Sequence, residues 1–296
     1  MGDIDFTKVQ QTDRQLRLLH EILQPERRTI ICDIGASAIE EVPYAQLLRN
    51  GFCEVWGFEP SAEQYEILKA RQRDNEHYLP YALGDGKDTI LNVTSHPGFT
   101  STLTPNRNTS DFLSRWKRDI KIVSKENMKT ERLDALPELP DCDMISIDVQ
   151  GSELQILSNG IEKLKRTKIV ISEVAAIPIY ENQPLLDDQM RMFRKHGFTL
   201  HKFLHFRSVP IKSDLTGNIS LRGYREQLTD GDAVFVKDLL DVQDVETEDL
   251  KHLALLASSV IGSHTLALKV LSILKKRRAI SSEAVESYVN EAWVKS

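Results

Sequence analysis

The sequence predicts an α/β protein with a mostly parallel β-sheet that is covered by helices on both faces. Short apolar runs of strand length alternate with longer helical segments, and helices of that length can cross from one parallel strand to the next. Hydrophobic residues make up 41% and charged residues 28% of the chain, as in ordinary globular proteins. The 296 residues suffice for one large domain with an appendage, or for two units.

The first half of the chain begins with a helix and then alternates between strands and helices. Pro25 ends the first helix, Gly51 ends the second, and Ser61 is a suitable N-cap for the third. The predicted elements are a helix at 9–23, a strand at 29–34, a helix at 39–50, a strand at 53–58, a helix at 61–73, strands at 77–83 and 90–94, and a loop at 99–108.

The second half keeps this alternation as far as residue 238 and is then entirely helical. Its predicted elements are a strand at 144–149, a helix at 152–159, a strand at 168–174, a helix at 185–195, strands at 198–204 and 233–236, and helices at 247–261, 266–278 and 282–294. We therefore expect an N-terminal helix at 1–27, a main domain at 28–238 and a helical C-terminal extension at 239–296.

Composition and motifs exclude several classes of protein. The chain has 38 basic and 44 acidic residues, a net charge of −6, so it lacks the field of a nonspecific nucleic-acid binder and we expect no nucleic-acid partner. Neither G-x-G-x-x-G nor G-x-x-x-x-G-K-[ST] occurs, which favours a ligand without phosphates. The longest uncharged stretch, 253–268, is too short and too polar for a membrane span.

The three cysteines indicate a reducing compartment. Cys32 and Cys142 lie inside apolar runs, and no C-x-x-C pair occurs. We expect buried free thiols rather than disulfides or a thiolate zinc site, and a cytoplasmic location.

Polar residues that directly follow the first two strands indicate an adenosine-containing ligand. Asp33 and Gly35 follow the first strand, and a glycine there lets the backbone turn sharply and approach a ligand closely. Glu59 follows the second strand, where a carboxylate can accept hydrogen bonds from both ribose hydroxyls. Without a phosphate-binding motif, S-adenosylmethionine fits best, since it needs a ribose clamp, an adenine slot and a polar hold on its amino acid end.

Several short motifs follow one another along residues 28–238. The most specific is Ile-Asp-Val-Gln-Gly-Ser-Glu at 147–153. The others are Asp-Ile-Gly-Ala at 33–36, Gly-Phe-Glu-Pro at 57–60, Ala-Leu-Gly-Asp at 82–85, Ser-Thr-Leu at 101–103, Ser-Glu-Val at 172–174, Tyr180 with Gln-Pro at 183–184, Gly-Phe at 197–198 and Asp-Ala-Val-Phe-Val at 232–236. In this order they resemble the FkbM family of S-adenosylmethionine-dependent methyltransferases.

The resemblance implies a class I Rossmann-like fold with a seven-stranded sheet whose last strand is antiparallel. It implies methyl transfer to a hydroxyl oxygen of a sugar, glycan or similar natural product, so that the partner is a small-molecule or glycan acceptor. The implied cofactor-binding residues are Asp33, Gly35 and Ala36 near the methionine end, Glu59 at the ribose, Ala82 and Leu83 at the adenine, Ser101, and Asp148 beside the amino end and the transferring methyl group. The implied substrate residues are Tyr180 and Gln183.

One segment departs from the family pattern. The family continues with Asn-x-Gly after Asp-x-Gly-Ala, whereas this chain has Ser37, Ala38 and Ile39. Ile39 adds a branched side chain where the backbone and the cofactor would be close. An alternative function is therefore a catalytically inactive binding or scaffold protein with a methyltransferase fold.

Asp148 and Glu173 are the predicted catalytic residues. Both end neighbouring apolar strands, so they should face the same crevice, where mutual repulsion would raise one pKa and provide a general base. The pair could instead share a divalent metal ion, but the sequence shows no third ligand, and we predict a metal-free site. Glu153 is predicted to complement a helix dipole, and His96, in a loop next to Pro97, is a weaker candidate base.

Two further segments leave alternatives open. The segment at 207–231 carries Lys212, Arg222, Tyr224 and Arg225, and it is either a lid that binds an anionic or sugar substrate or a disordered surface loop.

In the tail, the stripe of Leu266, Val270, Ile273 and Leu274 should pack on the main domain or on a partner chain, which could join copies into a homo-oligomer. The basic run at 275–278 either meets anionic lipid or nucleic acid or complements the end of its own helix.

Overall fold

The computed structural model describes residues 12–36 and 42–293 and contains a seven-stranded and a three-stranded β-sheet. The strands are β1 (Thr29–Ile34), β2 (Cys53–Phe58), β3 (Glu76–Leu79), β4 (Ala82–Leu83), β5 (Asp88–Thr94), β6 (Ile122–Glu131), β7 (Met144–Ile147), β8 (Ile169–Ala175), β9 (Phe198–Val209) and β10 (Gln227–Lys237). The helices are α1 (Asp13–Leu23), α2 (Ala45–Arg49), α3 (Ala62–Arg71), α4 (Arg107–Leu113), α5 (Glu153–Ser158), α6 (Ile161–Arg166), α7 (Leu186–Lys195), α8 (Thr247–Ser259), α9 (His264–Lys276) and α10 (Ser282–Trp293).

The large sheet has the strand order β3-β2-β1-β7-β8-β10-β9. Its pairs are parallel except those of β10, which is antiparallel to both β8 and β9. This is the class I Rossmann-like arrangement that the sequence predicts. Strand order reverses between β1 and β7, so the carboxyl ends of these two strands open the crevice in which such sheets bind ligands.

The sheet separates two hydrophobic clusters, and its central strands are apolar because they are buried on both faces. All six residues of β1 are buried. One cluster joins Ile31 and Val234 of the sheet to α1 and the C-terminal helices, and the other joins Ile145 and Phe235 to α5, α6 and α7. All three cysteines are buried free thiols, as the apolar runs around them predict.

The tail helices pack against the same chain. Leu266, Val270 and Leu274 are buried in the cluster that contains strands of the large sheet, which is the first of the two alternatives for this stripe. Within the basic run, Arg277 donates to the backbone oxygen of Val245 at 2.7 Å, and Lys275 pairs with Glu286 at 3.2 Å. These contacts within the chain favour a structural role for the basic run over binding of lipid or nucleic acid. Among the described residues, no helix has both the length and the apolar character to cross a membrane.

Local signals place several helix ends correctly. The Ser61 hydroxyl caps α3 by accepting from the Gln64 amide, and Gly51 follows α2 with a φ of +73°. α1 begins at a capping box formed by Thr12 and Gln15. The predicted helices at 247–261, 266–278 and 282–294 correspond to α8, α9 and α10, of which the last is described as far as residue 293.

Three predictions about elements are wrong. The strand predicted at 77–83 is two strands in different sheets, β3 and β4, because Pro80 between them lacks an N–H for the ladder. The predicted loop at 99–108 contains the start of α4, while β6 and α6 have no counterpart in the prediction. The segment at 207–231 is shorter as a connection than predicted, since β9 runs to Val209 and β10 begins at Gln227, which leaves a connection of residues 210–226.

One predicted element and one predicted departure fall on residues that the structure does not describe. The structure describes the predicted helix at 39–50 only from residue 42 onward, and within that part α2 begins at Ala45. Ser37, Ala38 and Ile39 lie outside the described residues.

Candidate active site

The carboxyl ends of β1, β2 and β7 are fastened together by backbone contacts. Gly35 has a φ of +86°, and a Cβ there would lie 2.1 Å from the backbone oxygen of Asp148, so only glycine fits. The amides of Gly35 and Ala36 both donate to the Phe58 oxygen at 3.1 Å, and the Asp148 amide donates to the Ile34 oxygen at 3.1 Å. These bonds bring the residues that follow the three strands to one edge of the sheet.

Asp33 lies beneath this edge and is held from the protein side. Its carboxylate is 8% exposed and accepts a hydrogen bond from the Tyr44 hydroxyl at 2.7 Å. Burial raises the pKa of Asp33 to about 6, against hydrogen bonds from Tyr44 and Ser146 that favour the charged form. Asp33 therefore carries a negative charge near neutral pH on a rigid strand that ends at the crevice.

Glu59 stands at the end of β2, on the ribose side of the predicted cofactor site. Its Oε1 accepts from the Ser61 amide at 2.6 Å, which fixes the carboxylate beside the start of α3. Burial raises the pKa of Glu59. Ala82 and Leu83, the predicted adenine neighbours, are buried in β4, directly after the turn that leaves β3.

Three carboxylates meet where β7 and β8 end. Ligand atoms of Asp148, Glu153 and Glu173 all lie within 4.8 Å of one another. Asp148 is exposed, Glu173 is partly exposed, and Glu153 is buried at 3% exposure. The prediction that Asp148 and Glu173 face one crevice therefore agrees with the geometry, and Glu153 is the third carboxylate that the sequence did not show.

Glu173 and Glu153 hold protons more tightly than isolated carboxylates. Burial raises the pKa of Glu173 well above its ordinary value, and the charges of Asp148, Glu153 and Asp230 and a hydrogen bond with Asp148 add to the effect. Burial also raises the pKa of Glu153 to about 7, although the amides of Gly151 and Val149 favour its charged form. Glu173 and Asp148 can thus share a proton, with Asp148 on the solvent side.

Gln150 joins the two predicted catalytic residues, and sequence reasoning did not single it out. Its Nε2 donates to Asp148 Oδ1 at 2.7 Å and to Glu173 Oε1 at 3.4 Å. Its Oε1 accepts from the Tyr180 hydroxyl at 3.0 Å, and its backbone has a φ of +60°, which is uncommon outside glycine. The only available signal was its place between Asp148 and Gly151 in the most specific motif.

The predicted substrate residues, Tyr180 and Gln183, support the carboxylate cluster through hydrogen bonds. Tyr180 is 1% exposed, and Gln183 Oε1 accepts from the amides of Ile179 and Tyr180 at 2.7 and 3.1 Å. Gly151, with a φ of +105°, leaves room for the Tyr180 ring, because a Cβ would lie 3.0 Å from Tyr180 Cδ2. These contacts support a positioning role, and direct contact of Tyr180 and Gln183 with a substrate stays a prediction.

Ser101, a predicted cofactor residue, connects its own loop to Gln150, next to the carboxylate cluster, by a hydrogen bond. Its hydroxyl donates to the Gln150 backbone oxygen at 2.6 Å and accepts from the Leu103 amide at 3.0 Å, and the residue is 1% exposed. Contact between Ser101 and the cofactor stays a prediction. The structure adds a structural role for this side chain.

The three carboxylates are the residues that could hold a divalent cation. Glu153 Oε1 already accepts from the amides of Val149 and Gly151, at 3.0 and 2.9 Å. A cation between Asp148 and Glu173 would also have to displace the Gln150 amide, which donates to both. The donors present suit a proton-sharing cluster, and the metal-free site stays our prediction.

His96 takes part in its own loop rather than in this cluster. Its Nδ1 accepts from the Gly98 amide at 3.2 Å, and its ring packs edge-on against Phe99. In the part of the chain that the structure describes, the side chains gathered around Asp148 and Glu173 include Glu153 and not His96.

Comparison with known families identifies the class of protein. The family model of the methyltransferase FkbM domain matches residues 33–200, which is more than half of the chain and includes the carboxyl ends of β1, β2, β7 and β8. The chain belongs to the FkbM methyltransferase family. It is an S-adenosylmethionine-dependent methyltransferase, and S-adenosylmethionine is its cofactor.

Solved structures show distant similarity. The precorrin-6y methyltransferase of Geobacter metallireducens is 10% identical, with 79% of this chain and 94% of that chain covered and a TM-score of 0.36. The magnesium protoporphyrin IX methyltransferase of Synechocystis, solved with bound S-adenosylmethionine, is 11% identical, with 76% of this chain and 80% of that chain covered and a TM-score of 0.34. A comparison with curated proteins found no match.

Proposed function

We propose that this methyltransferase acts on oxygen, at a hydroxyl of a sugar, glycan or similar natural product, in the cytoplasm. The observation that carries the proposal is the Asp148–Glu173 pair, which shares a crevice edge with Asp33, Gly35 and Glu59. A hydroxyl must lose its proton as it is methylated, and a carboxylate pair in which burial raises the pKa of Glu173 is a suitable proton acceptor. The three buried free thiols support the cytoplasmic location.

The residues at the strand ends fit the cofactor by the chemistry of their donors and acceptors. Glu59 offers a fixed carboxylate to a ribose diol, and the acidic edge formed by Asp33 and Asp148 suits a ligand with a cationic amino group and a sulfonium. The backbone contact between Gly35 and Asp148 keeps the loop close to the sheet. We propose that Asp33, Gly35, Ala36, Glu59, Ser101 and Asp148 hold the cofactor, with Ala82 and Leu83 at the adenine.

The proposed reaction is an in-line displacement. When bound, S-adenosylmethionine would supply the methyl group as an electrophilic sulfonium, whose sulfur would keep the electron pair of the broken sulfur–carbon bond as a neutral thioether. Asp148 Oδ accepts the proton of the acceptor hydroxyl while the new oxygen–carbon bond forms, and Glu173 shares that proton through its hydrogen bond with Asp148. Gln150 holds both carboxylates in place, and rigid positioning matters because a displacement of about 1 Å can cost roughly a hundredfold in rate.

Variants of the pair test this assignment. Removal of a positioned base typically lowers the rate by about 10² to 10⁴. We expect Asp148→Asn to abolish turnover of a hydroxylated acceptor found by screening, and to weaken cofactor binding as well. Glu173→Gln should slow turnover and leave cofactor affinity intact, because Glu173 acts through Asp148. Rate and cofactor affinity are measured in parallel for each variant.

His96→Ala is the control for these variants, because His96 lies in a separate turn and should be dispensable. The assignment is wrong if His96→Ala is inactive while both carboxylate variants keep most of their rate. In that case the histidine, and not the carboxylate pair, removes the proton from the acceptor.

A second candidate function rests on Ile39. If this side chain fills the cofactor loop, the chain is a non-catalytic binding or scaffold protein. Calorimetric titration with S-adenosylmethionine and with its demethylated product separates the two functions. Binding of both ligands supports the enzyme, and Ile39→Gly should then change affinity little. Absence of binding that Ile39→Gly restores supports the scaffold.

A further inference from the structure

A cleft of about 430 Å³ lined by four arginines lies beside the carboxylate cluster. Arg207 comes from β9, Arg222 and Arg225 come from the connection between β9 and β10, and Arg115 follows α4. Of the described residues that line this cleft, none is acidic. Basic side chains thus predominate in the lining of this cleft, on a chain whose net charge is −6, and we call it the arginine cleft.

The position of the arginine cleft relative to the carboxylate pair follows from one ion pair. Arg207 Nη1 lies 2.9 Å from Asp230 Oδ2, where the Asp230 side chain is 7% exposed and that of Arg207 is 47% exposed. Asp230 stands opposite Ala175 in the β8–β10 ladder, two residues beyond Glu173. The charge of Asp230 reaches Glu173, since it contributes to the raised pKa of that carboxyl. One wall of the cleft is therefore separated by β10 alone from β8, the strand that carries Glu173.

The wall of the cleft that carries Arg115 is anchored to the segment that follows β8. Thr109 of α4 donates through its hydroxyl to the Pro178 backbone oxygen at 2.7 Å, just after β8. The Arg115 amide donates to the Ser110 oxygen at 3.0 Å, so the turn that carries Arg115 is continuous with α4. Arg115 and Arg207 approach the cleft from two elements that are both fixed relative to Glu173.

The chemistry of four guanidinium groups selects the ligand. Guanidinium groups present N–H donors in a planar fork that matches the oxygens of phosphate, sulfate and carboxylate groups, and such bonds are short and strong. A neutral sugar would gain little from these guanidinium groups, whereas an anionic group would gain charge-assisted hydrogen bonds. A compact concave site next to the reacting carboxylates suits the anionic part of an acceptor rather than a flat surface.

We propose that the methyl acceptor is a hydroxylated molecule that carries a phosphate, sulfate or carboxylate group, and that this group binds in the arginine cleft. The proposal rests on the proposed function, because it takes the hydroxyl to be the one that reaches Asp148 and Glu173. Arg115 and Arg222 provide the charged contacts, while Arg207 joins the cleft to β10 through Asp230.

The test is a binding titration that does not depend on turnover. Inorganic phosphate, glucose 6-phosphate and glucose are titrated into the full chain without cofactor, with ligand-observed NMR as the readout. We expect the two phosphates to bind and glucose to bind at least tenfold more weakly than glucose 6-phosphate. The double variant Arg115→Gln/Arg222→Gln should lose at least tenfold in affinity for each phosphate, since each arginine contributes charge-assisted hydrogen bonds.

Two controls keep the test specific. Arg71→Gln removes an exposed arginine of α3, at the other edge of the sheet, and should leave phosphate affinity unchanged. Arg207 is left intact, because its removal would leave the buried Asp230 carboxylate without its ion pair. The double variant should bind S-adenosylmethionine as tightly as the unmodified chain, which also shows that it is folded.

Three outcomes overturn the proposal: no phosphate binding, equal affinity for glucose and glucose 6-phosphate, or phosphate affinity that the double variant retains. Arginine-dependent binding to vesicles of phosphatidylglycerol without a preference for glucose 6-phosphate over glucose also overturns it, in favour of a membrane surface. Failure of the proposed function is a separate result, because it is read from the titration with S-adenosylmethionine.

Discussion

Glu59 is the residue whose predicted role can be tested most directly. Its carboxylate is fixed by the Ser61 amide at the end of β2 and is the group proposed to bind the ribose. Hydrogen bonds to a charged acceptor are worth about 1.5–3 kcal/mol each, so Glu59→Ala should weaken S-adenosylmethionine binding at least about tenfold in a calorimetric titration.

Glu63→Ala provides the matched control for Glu59→Ala, because Glu63 is an exposed glutamate in the first turn of α3, four residues further along the chain. It should not change cofactor affinity. Equal affinities for the unmodified chain and Glu59→Ala would contradict the assignment of the ribose to Glu59.

Glu153 makes stability depend on pH. Its pKa is raised from 4.5 to about 7, so the folded state prefers the protonated form. The stability that this proton provides is complete below the ordinary pKa and is lost as the pH rises through the raised value. Glu153→Gln keeps an accepting oxygen for the Val149 and Gly151 amides but removes the charge.

The difference in free energy of unfolding between Glu153→Gln and the unmodified chain should therefore grow between about pH 4 and pH 8. The variant becomes the more stable of the two by at most about 3 kcal/mol. Urea unfolding at several pH values measures the difference. Glu66→Gln, at an exposed position of α3, should show no such trend, and a flat difference for Glu153→Gln would contradict the burial argument.

At the residue scale, the sequence predicts site residues that directly follow strands. It misses site residues whose role depends on a contact with another side chain or backbone amide. Asp148 and Glu173 could be brought together in advance because parallel strands end at one edge. Glu153 was assigned to a helix dipole, since nothing in the motif reveals that its side chain turns back to the amides of Val149 and Gly151. Gln150 acts through contacts with residues on two other elements, which a linear pattern does not encode.

β6, one of the elements that the sequence misses, has no apolar periodicity. β6 is ten residues long, and most of its side chains are exposed, including Lys125, Glu126 and Lys129. It pairs with β4 and β5 in the small sheet, so backbone hydrogen bonds hold it there and side-chain burial contributes little. β1 and β8, by contrast, are almost wholly buried, and their apolar runs predict them to within one residue.

The helix α9 shows how strongly one element depends on its buried face. Leu274 is fully buried among the sheet and the C-terminal helices. Leu274→Ala should lower the free energy of unfolding by about 2–5 kcal/mol, because it removes apolar contacts and leaves a cavity. Chemical denaturation measures the loss.

Lys269→Ala, on the exposed face of the same helix, is the control for Leu274→Ala and should change stability by less than about 0.5 kcal/mol. Cofactor affinity should survive in both variants, since the crevice lies at the ends of the strands. Equal stability of the two variants would show that α9 does not depend on this face.

For the whole molecule, the described part of the tail, 239–293, belongs to the core that stabilises the sheet. Its side chains share a cluster with Leu16, Ile31 and Val234, and Arg14 of α1 pairs with Glu291 of α10 at 2.6 Å. Deletion of 239–296 should therefore expose apolar surface, lower the melting temperature and cause aggregation, as measured by light scattering. A soluble truncated chain with the expected mass and an unchanged melting temperature would show that the tail is an independent appendage.

Light scattering of the full chain also tests the predicted homo-oligomer. The stripe on α9 is buried within one chain, so a dimer through the C-terminal helices would have to use their outer faces. A mass of one chain at all concentrations would contradict oligomerisation. If the unmodified chain has the mass of an oligomer, and a substitution on those outer faces reduces the mass to that of one chain, the result would support oligomerisation through the C-terminal helices.

The place of β10 in the large sheet limits how much of the sheet can form while the chain is still being synthesised. β10 is the last strand to leave the ribosome, yet it lies between β8 and β9, and these two fully described strands do not pair with each other. Until residue 237 has emerged, β8 has an unpaired edge and β9 has no place in the sheet. The strand that carries Glu173 thus gains its second neighbour only late in translation, and a nascent chain interrupted before β10 exposes an edge that invites aggregation.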